Sequence, residues 1–173
     1  MAERTVTLRG NPLPLGGTEV KPGQAAPDFA AVDNSLQTVR LSDAKGKVVI
    51  LSSVPSLDTP VCDTETRRFN QEAGALGGGV EVWTISMDLP FAQKRWCGAA
   101  GITAVKTLSD FREKSFGQHY GVAITSGPLA GVTARAVFVV GKDGKLTHVE
   151  YVPEIASEPN YEAALNAARA AAG

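Results

Sequence analysis

Lys47-Val48-Val49-Ile50-Leu51-Ser52-Ser53-Val54, followed by Pro55-Ser56-Leu57-Asp58-Thr59-Pro60-Val61-Cys62, decides how this chain folds. The first half is a continuous β-branched run, the pattern of a strand covered on both faces. The second half is polar and proline-bearing, then turns helical. Proline suits the first position of a helix, where its missing N–H is no loss. With Pro60 there, Thr59 is the N-cap and Cys62 the third residue. A helix over 62–76 follows, with Phe69, Ala73 and Leu76 on one face, closed by Gly77-Gly78-Gly79.

Downstream, Val80–Ser86 reads as a second central strand and Asp88–Trp96 as a short helix stopped by Gly98. Then come a helical turn near Arg112–Tyr120 and a Gly/Pro loop from Ser126 to Gly131. Strands over Ala134–Val140 and Leu146–Val152 flank Asp143-Gly144, a hairpin signal, and an Ala-rich helix spans Tyr161–Ala172. Upstream, Thr38–Leu41 is a short strand, with a polar turn from Ser42 to Gly46. Residues 15–27 form an irregular lead-in, and Thr5–Arg9 is one arm of a hairpin broken at Gly10-Asn11-Pro12. The order predicts an α/β fold with a sheet of mixed strand directions, in one domain over 1–173.

Composition narrows the partners. The 173 residues are 43% hydrophobic and 20% charged, with 17 Lys plus Arg against 18 Asp plus Glu, a net charge of −1. Such a balance offers no broad basic surface, so neither nucleic acid nor acidic lipid is expected as a partner. The longest apolar run, Ala136–Val140, is far short of a membrane span. The start, MAERTVTLRGNPLPLGG, lacks the apolar core of a signal peptide, which makes the cytoplasm the expected location. His119 and His148 show no ligand spacing with either cysteine.

The chain has two cysteines, Cys62 and Cys97, too few for a disulfide scaffold or a cysteine-built zinc site. Free N–H groups at a helix start favour an anion, so a thiolate at Cys62 is stabilised there and is a nucleophile at neutral pH. Asp58, Asp63 and Glu65 oppose this by their negative charge, so a cation is expected from elsewhere. The plain alternative is a small apolar residue in register with Phe69. Cys97 ends a different helix, where the dipole keeps the thiol protonated, partly offset by Lys94 and Arg95. That asymmetry makes Cys62 the attacking and Cys97 the resolving thiol; alone, Cys97 is equally core filler. Arg135, on the parity of Val137 and Val139, is the expected cation, since five fixed donors can hold thiolate and peroxide oxygen together. Its alternative is an edge-strand arginine paired with a carboxylate.

These residues resemble the peroxiredoxin signature, Pro-x-x-x-Thr/Ser-x-x-Cys, present as Pro55, Thr59 and Cys62. Ser56–Cys62, Asp88–Gln93 leading to Arg95-Trp96-Cys97-Gly98, Thr107–Arg112, Ala134–Val139 and Glu158–Leu165 further resemble the bacterial thiol peroxidase subfamily of atypical two-cysteine peroxiredoxins. The resemblance implies a thioredoxin-like fold with an N-terminal β-hairpin, usually a homodimer. It implies reduction of hydrogen peroxide and alkyl hydroperoxides with thioredoxin as electron donor, and needs no metal, haem or flavin cofactor. By the same resemblance Cys62 is the peroxidatic and Cys97 the resolving cysteine, joined in an intrachain disulfide. Thr59 and Arg135 orient the peroxide, and Pro55 shields the pocket. Two other readings stay open: a disulfide carrier or redox-regulated binding protein without peroxide turnover, and a structural domain with silent thiols. A carrier normally places both thiols at one helix start.

Overall fold

The computed structural model describes residues 3–173; Met1 and Ala2, part of the span 1–173 expected as one domain, lie outside the described residues. In chain order the strands are β1 Thr5–Leu8, β2 Asn11–Gly16, β3 Ala30–Val32, β4 Thr38–Arg40, β5 Val48–Ser53, β6 Val80–Ser86, β7 Val105–Ser109, β8 Ala123–Ile124, β9 Ala136–Val140 and β10 Leu146–Tyr151. The helices are α1 Pro60–Ala73, α2 Pro90–Ala100, α3 Ser115–His119 and α4 Tyr161–Ala172. Seven strands make the main sheet in the order β10-β9-β5-β6-β7-β3-β4, and β1-β2-β8 form a small separate sheet. Strands β5, β6 and β7 run parallel, while β9 and β3 join antiparallel. The mixed sheet and the N-terminal hairpin are as expected.

Strand β5 earns its continuous apolar run by lying in the middle. All six of its residues are buried. Its odd positions, Val49 and Leu51, face a cluster with Trp83, Ile85, Phe138 and the aromatic group Phe29, Phe116 and Tyr120. Phe116 stacks on Tyr120 at 4.8 Å and meets Phe29 edge-on at 5.0 Å, contacts that each add about 0.5–1.5 kcal/mol beyond burial. Its even positions, Val48 and Ile50, face Phe69 of α1 and Tyr161, Leu165 and Ala168 of α4. Moving up that second face, apolar side chains give way to hydroxyls, with Ser52 paired to Thr84 and Thr84 to Thr107. The polar end of the sheet is where both cysteine-bearing helices attach.

Several expected boundaries move. Helix α1 starts at Pro60, as the Thr59-Pro60 signal has it and two residues ahead of the 62–76 span, and ends at Ala73, before the Gly77–Gly79 run. Helix α2 passes through Gly98 and stops only at Gly101, whose φ of 68° allows its N–H to reach the Cys97 carbonyl; a glycine ends a helix where positive φ is needed, and Gly98 has no such role. Strands β3, β7 and β8 were not expected: β3 and β8 are very short, and β7 carries buried polar residues at Thr107 and Ser109. The hairpin turns at Arg9 and Gly10, both with positive φ. Pro12 and Pro14 therefore lie inside β2, tolerated because β8 pairs only with Leu15 and Gly16. The expected polar turn after β4 is a 3-10 turn, Leu41–Ala44, that buries Leu41 and Ala44.

Candidate active site

The loop between β5 and α1 is fixed from both sides. Ser53 Oγ donates to the Ala134 carbonyl at 2.8 Å, and Thr133 Oγ1 donates to the Val54 carbonyl at 2.9 Å. These bonds place Arg135, just before β9, across from the start of α1. On the other side Asp88 accepts from Ser56 Oγ at 2.7 Å, Leu57 N–H at 2.8 Å and Ser86 Oγ at 2.8 Å. The loop is thus tied to the segment that leads into α2, and Pro55 is buried between the two anchors.

Thr59 is the N-cap in backbone conformation, with φ −106° and ψ 147°. Its hydroxyl does not cap the helix; it donates to the Ser56 carbonyl at 2.9 Å. The N–H groups of Val61 and Cys62 therefore have no capping side chain from Thr59, and its oxygen keeps its lone pairs for another donor. Cys62, the third helical residue, is fully buried with Val54 and Leu57, and Trp96 packs on that cluster.

Arg135 is the expected cation. Its Nη2 donates to Cys62 Sγ at 3.2 Å, its Nη1 to Glu65 Oε2 at 2.6 Å, and its Nε to the Ile155 carbonyl at 2.9 Å. Every edge of the guanidinium is used, so its orientation toward sulfur is fixed. Both alternatives for Arg135 thus hold together, contact with the thiol and pairing with a carboxylate. The strand is not an edge, because β9 lies between β10 and β5.

Glu65 is a correction. It does not act as a free negative charge against Cys62: it is wholly buried, bound to Arg135 and accepting from Ser52 Oγ at 3.3 Å. Burial pushes its carboxyl up to about 7, against the downward pull of Arg135. Its place was readable from spacing, since Cys62, Glu65, Thr66 and Phe69 are the buried stripe of α1. Asp63 points outward in an ion pair with Arg67, and Asp58 is exposed.

Cys97 is not drawn to Cys62. Both are free thiols, and the Cys97 sulfur lies 3.4 Å from Thr107 Oγ1 on β7. Rather than ending α2, Cys97 lies in its last turn, and its carbonyl receives the N–H groups of Gly101 and Ile102. Trp96 stands between, packed against the cluster of Cys62 and that of Cys97. His119 binds the Asp28 carbonyl at 2.7 Å, and His148 lies half-buried on β10. Among the described residues no His/Cys/Asp/Glu group is arranged to hold a metal ion, and no helix is long and apolar enough to cross a membrane. A cavity of about 460 Å³ lies at the opposite end of β5 among Lys45, Lys47, Val49 and Val140, remote from Cys62.

The chain is similar to known proteins over nearly its whole length. Residues 21–165 match the Redoxin family. A thiol peroxidase of Bacillus subtilis is 54% identical over 170 residues, covering 98% of each chain. One of Halalkalibacterium halodurans is 54% identical over 167 residues, covering 96% of this chain and 98% of that one. A crystal structure of a peroxiredoxin-like protein from Aquifex aeolicus superposes with a TM-score of 0.92 at 47% identity, covering 96% of both chains. The thiol peroxidase of Chromobacterium violaceum, 23% identical, shares the fold with a TM-score of 0.82 over 92% of this chain and 91% of that one. On a family match across most of its length and relatives more than half identical over nearly all of it, the chain belongs to the Redoxin family, among its thiol peroxidases.

Proposed function

We propose that this thiol peroxidase reduces hydrogen peroxide and alkyl hydroperoxides at Cys62, resolves the product through Cys97, and is recycled by thioredoxin. The observation that supports this reading furthest is the buried Cys62 sulfur, 3.2 Å from a guanidinium held at its other two edges. A thiolate there has a charge-assisted donor and the helix-start N–H groups, which favour the nucleophilic form. Thr59, its own hydrogen committed to Ser56, accepts the peroxide O–H, and Pro55 closes the pocket wall. Sulfur attacks the near oxygen, the O–O bond breaks, and the alcohol or water leaves with a proton. The product is a sulfenic acid on Cys62.

Cys97 then condenses with it, releasing water and leaving an intrachain disulfide for the thioredoxin dithiol to reduce. Residues 3–173 act as one domain, working in the cytoplasm as a homodimer. The dimer is supported by the exposed side chains of Leu89 and Phe91 at the start of α2, an apolar surface that a second copy would cover. Turnover with thioredoxin, its reductase and hydrogen peroxide tests the reading. Cys62→Ser should abolish it, and a Cys62→Ser protein that still turns over would overturn the assignment.

A further inference from the structure

Cys97 is engaged by a hydrogen-bonded pair that the chemistry at Cys62 does not use. Its sulfur lies 3.4 Å from Thr107 Oγ1, and Thr107 Oγ1 lies 2.9 Å from Asn34 Oδ1. The direction of both bonds follows from the number of hydrogens present. A hydroxyl carries one, and a side-chain amide oxygen only accepts. Thr107 therefore donates to Asn34, offers Cys97 a lone pair alone, and receives the S–H hydrogen. A thiolate at Cys97 would face that lone pair with no hydrogen between them.

The fold builds this arrangement. Strands β3 and β7 pair antiparallel with Val32 opposite Ser109, so two residues further along Asn34 stands opposite Thr107. Asn34 belongs to the turn joining β3 to β4, which Asp33 fixes by accepting the N–H groups of Ser35 and Gln37, each at 2.9 Å. Thr107 is 2% exposed, beneath α2 on the face where the sheet turns polar. Asn34, Cys97 and Thr107 line an open groove of about 290 Å³, so the thiol is reachable from solvent while it is held.

We propose that Asn34 and Thr107 are positioning residues that park Cys97 as a protonated thiol, and that this latch opens before Cys97 reaches the sulfenic acid on Cys62. The inference rests on Cys97 being the resolving thiol. In the condensation the Cys97 sulfur attacks the Cys62 sulfur, the S–O bond breaks, and the departing hydroxide takes the Cys97 proton to leave as water. No further oxidant enters. A parked thiol is a poor nucleophile toward peroxide itself, so the latch delays closure and keeps Cys97 from being oxidised directly.

Stopped-flow fluorescence after mixing reduced full-length protein with peroxide separates sulfenate formation from disulfide closure. In Thr107→Val, closure should run about two- to tenfold faster, the range for one lost hydrogen bond, while the first phase keeps its wild-type rate. Thr107→Ser should restore wild-type closure, a rescue that a packing role would not give. In a Cys62→Ser background, Asn34→Ala should speed alkylation of Cys97 by iodoacetamide, because the freed Thr107 hydrogen then stabilises the thiolate. Closure unchanged or slower in Thr107→Val, or a serine variant behaving like valine, would overturn the latch. If Thr107→Val does not fold, unchanged alkylation in the Asn34→Ala protein overturns it instead. Cys97→Ser keeps the two readings apart. If it closes and turns over like wild type, the role of Cys97 fails; if it stalls after the first phase while Thr107→Val closes at the wild-type rate, only the latch fails.

Discussion

Replacing Arg135 by methionine removes three hydrogen bonds and one positive charge while keeping a long apolar stem. The bond from Nη2 to Cys62 Sγ, 3.2 Å long, is one to a group that ionises for the reaction, and such bonds contribute about 1.5–3 kcal/mol. If that contribution is expressed in the transition state, peroxide attack slows about tenfold to about 150-fold. The fold should survive. Leaving one member of a buried pair charged costs about 3–5 kcal/mol, but the Glu65 carboxyl escapes this by holding its proton. It already stands at about 7 with Arg135 pulling it down, and without that pull it rises further and stays neutral at neutral pH. The folded variant then binds a proton that the unfolded chain releases above 4.5. Its stability is fully present below that value and declines as pH rises through the raised folded value. The assays are peroxide consumption with peroxide in excess, thiolate absorbance at neutral pH, and urea midpoints across pH. Rates and absorbance equal to wild type would refute the reasoning, and would assign activation to the helix start alone.

Glu65→Gln keeps an acceptor for Arg135 but removes the competing anion, so thiolate absorbance at neutral pH should exceed that of wild type; a lower value would contradict the shared-cation picture. The raised Glu65 value also makes wild-type stability fall as pH climbs from 4.5 through about 7. The glutamine variant should lack that part of the slope and retain the part from Asp110, whose carboxyl burial pushes up to about 6. Asp88→Ala frees three donors at once and should destabilise the protein by about 2–3 kcal/mol, with faster amide exchange concentrated over 56–60; uniform exchange would show that the tie is not local. A disulfide needs Cα atoms within about 7 Å, and the two sulfurs, carried on separate helices, now have separate partners in Arg135 and Thr107. Oxidation should therefore lower amide protection over 59–65 and 88–100, and unchanged protection in both would rule out unwinding.

Much of this architecture is legible in the sequence, for reasons particular to each element. The β-branched run of β5 has no polar position because both its faces are covered, and β6 and α4 lie within the residues their patterns mark. Thr59-Pro60 fixes the start of α1, and with it the place of Cys62. The failures are equally specific. Strand β7 hides because Thr107 and Ser109 are buried polar residues, Thr107 bonded to Cys97 of α2 and Ser109 accepting the Phe111 N–H, so no apolar alternation appears. Gly98 imitates a stop that only Gly101 supplies. Glu65 misleads because a charge on a helix reads as solvated until the Cys62-Glu65-Thr66-Phe69 spacing is given more weight than its charge. Asp88 carries no local signal, since each of its donors outside its own segment arrives through the fold.

The central claim is that peroxide oxidises Cys62 and that Cys97 takes up the product within the same chain. Titrating fully reduced protein with hydrogen peroxide and counting free thiols, with intact mass read alongside, tests it directly. Wild type should lose both thiols per chain for each equivalent consumed and gain no oxygen, while Cys97→Ser should consume about one equivalent and gain oxygen on Cys62. Both thiols surviving an equivalent of peroxide, or Cys97→Ser proving as inert as Cys62→Ser, would contradict it.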